Sequence, residues 1–173
     1  LFLRMKRILS IRTVILISTV ILCAAVISLA GWWGYMKWGR EYPSGPHAFD
    51  PLIVEYAKKN NLSPYLIKAV IKKESDFKPR AVGRAGEIGL MQITDGVVQD
   101  WERITGHQCM FGFQLFDPRL NIRIGSWYLG RARNRWNEYR HADTLALAEY
   151  NAGLSRARRW APEKVGSKVL PRV

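Results

Sequence analysis

Glu74 is the residue that most invites chemistry. Leu66, Ile67, Val70 and Ile71 form an apolar stripe at helical spacing, and one further i, i+3 step reaches position 74. A carboxyl group therefore falls on the edge of a helix face that must be buried, at the C-terminal end of that helix. The macrodipole disfavours negative charge there, and partial burial disfavours it again. Both effects raise the pKa of the carboxyl, which suits a general acid working near neutral pH. On helix position alone, an ordinary surface glutamate behind Lys72 and Lys73 fits as well. Glu87 and Asp95 follow in the chain and are the candidates for a second acid. The histidines (His47, His107 and His141) are scattered, and with Cys23 and Cys109 they form no metal-site spacing. Neither a metal nor a cofactor is expected.

Holding Glu74 in place calls for a helical frame. Asp50-Pro51 reads as an N-cap before proline at the first helical position, with Leu52, Ile53, Tyr56 and Ala57 following at helical spacing. Ser63-Pro64 repeats the device and starts the helix that carries Glu74, which should end near Ser75. Pro79, Gly83 and Gly86 break any period between Asp76 and Ile88, so that stretch is predicted to be irregular. A helix is predicted to resume around Gly89–Gln92, and another to run from Asp95 to Ile104. The longest starts at Asp117-Pro118, with Leu120, Ile124, Trp127, Tyr128 and Leu129 among its apolar positions. One more begins at Asp143 or Thr144 and runs through Tyr150. No strand-like alternation of useful length occurs, so the fold class is all-α.

The chemistry-bearing residues sit in a recognisable order. Glu74-Ser75-x-Phe77-x-Pro79 is followed by Ala81-Val82, by Gly89-Leu90-Met91-Gln92 and, much later, by Ala148-Glu149-Tyr150-Asn151-Ala152-Gly153. This order and spacing resemble the soluble lytic transglycosylase (SLT) family, whose fold is related to goose-type lysozyme. Phe116-Asp117-Pro118 with Asn121-Ile122 resembles the start of that family's long central helix. The resemblance runs from about Phe49 to Trp160 and implies a lysozyme-like helical domain. It makes Glu74 the catalytic glutamate and Ser75 a residue that positions it or the substrate. It places Met91 and Gln92 along a sugar groove. It sets Tyr150 and Asn151 beside the acid, with the tyrosine hydroxyl able to hydrogen-bond it. An apolar wall and a neutral partner suit a carboxyl of raised pKa, and amides such as Gln92 and Asn151 match the N-acetyl and hydroxyl groups of amino sugars. Met91 and Tyr150 as plain core residues, and Gln92 and Asn151 as capping or surface amides, are the competing readings. Gly89 and Gly153 read as backbone requirements.

The chain departs from that pattern in places. Gly83 stands where the family often carries serine, and Glu87 stands where a small residue is common. Glu87 either partners a basic side chain or reaches the cleft. Glu149 replaces a frequent alanine and is expected to face solvent. The family domain continues into another helix, whereas Pro162–Val173 is short and basic. A truncated C-terminus is one reading of that tail.

The reaction implied by the resemblance is cleavage of the bond from N-acetylmuramic acid to N-acetylglucosamine, leaving a 1,6-anhydro end. Glu74 serves as acid and then as base. Two rivals remain open: a muramidase of the same fold, with Glu87 or Asp95 activating water, and a non-catalytic wall-binding scaffold.

Thr13 to Met36 carries no charge and is rich in Val, Ile, Leu and Ala, long enough to span a bilayer as a helix. Arg4, Lys6, Arg7 and Arg12 precede it; Trp32, Trp33, Tyr35 and Trp38 close it, with Lys37 and Arg40 beyond. That asymmetry predicts a basic cytoplasmic flank (1–12), a single-pass signal-anchor (13–38) and a linker (39–48). A catalytic domain (49–173) follows, outside the bacterial inner membrane on the periplasmic side. A cleaved signal peptide, with Ser28-Leu29-Ala30 as the cleavage site, is the competing reading. The net charge is +13, and from Glu41 onward 21 basic against 14 acidic residues still leave +7. An anionic wall, a membrane surface or nucleic acid would fit such charge; no nucleic-acid motif appears, so peptidoglycan strands and the membrane are the expected partners.

Overall fold

The computed structural model describes residues 11–38, 42–109, 112–162, 164–165 and 168–169. Arg4, Lys6 and Arg7 of the basic flank, residues 39–41 of the linker and most of the tail after Pro162 lie outside the described residues. The chain divides into two units, Leu1–Glu41 and Tyr42–Val173.

The described residues of the first unit form one helix, α1 (Ile11–Trp38). Residues Val14–Gly31 have a mean hydropathy of 2.6, and the helix is long and apolar enough to cross a membrane. Val14, Leu16, Leu22, Ile27 and Leu29 are all exposed. A helix that is apolar all round has no polar face to turn to water.

The second unit is helical throughout its core: α2 (Asp50–Lys59), α3 (Pro64–Ser75), α4 (Asp95–Thr105), α5 (Pro118–Arg135), α6 (Ala142–Ala152) and α7 (Leu154–Trp160). A 3-10 turn (Gly112–Phe116) precedes α5, and two-residue strands β1 (Lys164–Val165) and β2 (Lys168–Val169) pair near the end. The central α5 packs against α2, α4 and α6, while α2 also meets α3 and α6 meets α7. Its start follows from sequence: Asp117 Oδ1 accepts the Leu120 N–H at 3.0 Å, and proline occupies the first turn. Ile122, Ile124 and Leu129 of α5 join Ile67 and Ile71 of α3 and Leu90 in a fully buried centre.

Several expectations change. Asp50 does not cap α2; it lies in the first turn, and its carboxylate takes Lys68 Nζ at 2.6 Å and His47 Nδ1 at 2.9 Å. Ser63 precedes α3 without a side-chain capping bond. Gly89–Gln92 is not helical: Ile88 pairs with both Val82 and Ile93 in isolated bridges, so the segment is a tight turn between short extended pieces. Tyr42–Ala48, read as linker, holds contacts within the second unit, among them Ala48 N to Gly45 O and Lys68 Nζ to His47 Nδ1. The helix α7 had no separate signal. Gly153 divides it from α6 at φ 80°, ψ 158°, a conformation close to glycine-only that lets the chain turn at once into the next helix.

Candidate active site

Glu74 occupies the last turn of α3, one residue before its end, and is half-buried. The helix stops because Asp76 turns left-handed (φ 52°), and Phe77 follows in the same region (φ 60°). Lys72 pairs with Asp76 across that last turn. A left-handed phenylalanine is strained by about 1–3 kcal/mol. Its ring is 4% exposed, and burial of so large an apolar group offsets a strain of that size.

The turn that faces this helix end is fixed from below. Ser75 Oγ donates to Leu90 O at 2.8 Å and lies 3.1 Å from Ile71 O, tying the end of α3 to the turn. Asn121 of α5 is fully buried. Its Oδ1 accepts the Met91 N–H at 2.8 Å, and its Nδ2 donates to Ile88 O and Leu115 O, both at 2.8 Å. One side chain thus bonds three backbone groups, of which Ile88 O also accepts the Ile93 N–H at 2.9 Å. Gln92 is left-handed (φ 48°), and its Nε2 donates to Gly89 O at 2.9 Å and Ala81 O at 3.3 Å.

The surroundings of Glu74 set its acidity. Burial pushes its carboxyl above the ordinary glutamate value; Lys73 opposes this and Glu87 adds to it. Tyr150 is a neighbour as well: burial chiefly, and the Glu74 charge next, raise its phenol far above the usual range. Its hydroxyl donates not to Glu74 but to Met91 O at 2.7 Å, which corrects the expected bond to the acid. The Tyr128 ring stands 5.6 Å from that of Tyr150, tilted by 59°.

Met91 also differs from expectation. It is 0% exposed and packs onto Gly125 of α5, where an added Cβ would lie 2.8 Å from Met91 Cβ. It is a wedge between turn and central helix rather than an open groove wall. Asn151 is exposed at the end of α6, and Asp95 is exposed in the first turn of α4. The charges that act on Glu74 include Glu87 but not Asp95.

Glu87 and Gly83 form a linked pair. Glu87 Oε2 accepts the Ala85 N–H at 3.1 Å, and Glu87 O accepts the Gly83 N–H at 2.7 Å. A Cβ built on Gly83 would collide with the Glu87 carboxylate and sit 2.7 Å from Gln92 Oε1. The two departures from the family pattern therefore belong together: the missing side chain at 83 leaves room for the acid at 87.

Two structural residues escaped the sequence reading. Glu149 does not face solvent; it is 2% exposed, accepting Trp136 Nε1–H at 2.8 Å with Arg135 Nε at 3.5 Å. Asn121 was read only as part of a motif, not as the anchor of the turn. A polar residue inside the apolar face of α5 was the available signal.

A half-buried carboxyl, a turn fixed behind it and a half-buried phenol beside it are what an acid catalyst would require. The Transglycosylase SLT domain model matches residues 51–168. The chain belongs to the transglycosylase SLT family. This SLT domain is 30% identical over 122 residues to a soluble lytic murein transglycosylase of Salmonella typhimurium, covering 70% of this chain and 18% of that protein. It is 35% identical over 113 residues to a membrane-bound lytic murein transglycosylase F of Desulfosudis oleivorans, covering 64% and 23%. It therefore spans 18% to 23% of those relatives' own length. Its fold matches the structure of an inactive glutamate-to-glutamine mutant of lytic transglycosylase Slt from Pseudomonas aeruginosa. The TM-score is 0.63 at 33% identity, over 69% of this chain and 19% of that one. The lysozyme-like helical fold follows from that match.

Proposed function

We propose that the chain is a peptidoglycan lytic transglycosylase in which Glu74 carries both proton transfers. The observation that carries this reading is a glutamate at the end of α3, half-buried and held above its ordinary pKa, in a chain of the SLT family. Protonated Glu74 donates to the oxygen joining N-acetylmuramic acid to N-acetylglucosamine, and the C1–O bond breaks. The positive charge at C1 is met by the sugar's own C6 hydroxyl, which forms the new C1–O6 bond and returns its proton to Glu74. No water enters, and the carboxyl ends as it began. Because the nucleophile is part of the substrate, no second carboxylate is required to position it.

The other side chains divide by role. Ser75, Met91 and Tyr150 hold the Leu90–Gln92 turn in register with Glu74. Asn151 and the Oε1 of Gln92 remain for the substrate's amide and hydroxyl groups. The helix α1 keeps the second unit at the bacterial inner membrane, with the charge asymmetry of its flanks placing that unit on the periplasmic side.

Release of dyed fragments from purified sacculi by the full chain tests this reading. Glu74→Gln keeps the side chain's size and removes its proton chemistry, and should lower the rate about 100-fold or more. Equal rates would remove Glu74 from the mechanism. A second reading, hydrolysis with Glu87 as the base, rests on the proximity of Glu87 to Glu74. It requires Glu87→Gln to abolish turnover, whereas the transglycosylase reading keeps that variant active.

A further inference from the structure

The face of α5 turned away from the Glu74 side carries a row unlike the rest of the helix. Asn121 and Gly125 meet the Ile88–Gln92 turn. Arg119, Arg123, Trp127 and Arg131 follow one another at i, i+4 spacing. This row lies two residues on, about 200° around the helix. Together with α2 and α4 it lines a concavity of about 320 Å³, bounded by Lys59, Asn60, Trp101, Arg123 and Trp127. That volume is in the range of sites for small ligands.

The chemistry of the row is cationic and aromatic. Arg123 lies 5.3 Å above the Trp101 ring, and its Nη2 is 2.6 Å from His107 Nε2. His107 in turn stacks on Trp101 at 5.1 Å. Arg131 covers Trp127 at 5.0 Å, and Lys59 covers Tyr56 at 4.9 Å. The acid in contact with the row is Glu55, shared between Lys59 and Arg119. Asp100 is engaged by Arg103. Among the described residues, no carboxylate pairs with Arg123 or Arg131. A guanidinium held by a tryptophan ring and a histidine, without an acid, is preorganised for a planar anion that can accept two parallel N–H bonds.

We infer that this concavity between α2, α4 and α5 is a second binding site, which takes the carboxylate groups of peptidoglycan stem peptides. The inference rests on the proposed cell-wall substrate. Arg123 receives the carboxylate, Lys59 adds charge at the rim, and Trp127 covers the apolar part of the peptide. The site and Glu74 lie on opposite sides of one helix, so a peptide of one strand is held while a neighbouring strand enters the catalytic groove. Two weak contacts on one polymer raise the local concentration of cleavable bonds.

Calorimetric titration of the full chain in detergent micelles tests the inference. The probes are a synthetic stem tetrapeptide with free carboxylates and the same peptide with each carboxylate converted to carboxamide. The free acid should bind about ten-fold more tightly than the amide form, and Arg123→Gln should weaken it by a similar factor. Glu74→Gln should bind as the parent does, which separates this site from catalysis: a chain without transglycosylase activity still yields a valid titration. Equal affinity for the two peptides, or an unchanged affinity in Arg123→Gln, would overturn the inference. Displacement by inorganic phosphate at equal concentration would also overturn it, leaving a general anion site. Thermal melting guards against misfolding; Lys59→Gln, whose side chain is 60% exposed, carries the same test if Arg123→Gln melts early.

Discussion

At the scale of single residues, Glu74 is defined by opposing neighbours. Burial raises its pKa above the ordinary glutamate value, Lys73 pulls it down and Glu87 pushes it up. The folded protein therefore binds this proton more tightly than the unfolded chain does. Its contribution to stability falls as pH rises from the unfolded value through the raised folded one. We expect Glu74→Gln to gain thermal stability relative to the parent as pH climbs through that window. The difference between their melting temperatures, followed from pH 4 to 8, reads it out (a window of about four units running upward from the ordinary carboxyl value). Removing the Glu87 charge should lower the Glu74 pKa, so Glu87→Gln should move the alkaline limb of the activity profile to lower pH without abolishing turnover. Gly83→Ser places a side chain where the Glu87 carboxylate sits. It should destabilise the parent, by about 1–3 kcal/mol as overpacking does. It should cost less in a Glu87→Ala background, a coupling that chemical denaturation of the four chains would measure. The acid at 87 was plain in the sequence as a departure; its dependence on Gly83 was not, because a close approach between residues four apart in an irregular loop has no periodic signature.

At the scale of elements, the Ile88–Gln92 turn is held by α5 and by the end of α3, not by its own backbone alone. Asn121→Ala would strand the Met91 N–H and the Leu115 carbonyl, and would leave the Ile88 carbonyl with the Ile93 N–H alone; the three bonds lost are each 2.8 Å in the native turn. At about 1–3 kcal/mol for a buried group left unpaired, we expect a loss of about 3 kcal/mol in urea denaturation. The same reasoning gives Glu149→Leu a loss of about 2 kcal/mol, from the unpaired Trp136 indole N–H. The helices were legible because proline and serine or aspartate mark their starts and apolar residues recur along them: α3 and α4 begin and end within a residue or two of their expected bounds, and α5 begins at its expected start. The turn at Gly89–Gln92 was misread as helix because Leu90 and Met91 are good helix formers and nothing local announces the bridges of Ile88 to Val82 and Ile93. Tertiary contacts with Asn121 decide that segment. Glu149 was misread for a related reason, since the buried indole that holds it is contributed by residue 136, just beyond α5.

At the scale of the whole molecule, an apolar helix, α1, precedes a basic unit, and under the proposed cell-wall function the +7 balance from Glu41 onward should draw that unit to an anionic wall. Binding to purified sacculi should weaken as salt rises from 50 to 500 mM, since the screening length falls from about 14 Å to about 4 Å over that range. Retention that does not change with salt would argue for contacts made by shape and hydrogen bonds alone. The catalytic claim itself meets its most direct test in the products. Purified peptidoglycan would be digested with the full chain in detergent beside a Glu74→Gln control, and the released muropeptides weighed by mass spectrometry. Intramolecular closure predicts 1,6-anhydro ends, one water lighter than the hydrolytic product, from the parent and none from the control. Reducing ends from the parent would contradict it and assign the reaction to water, with Glu87 as the base to examine.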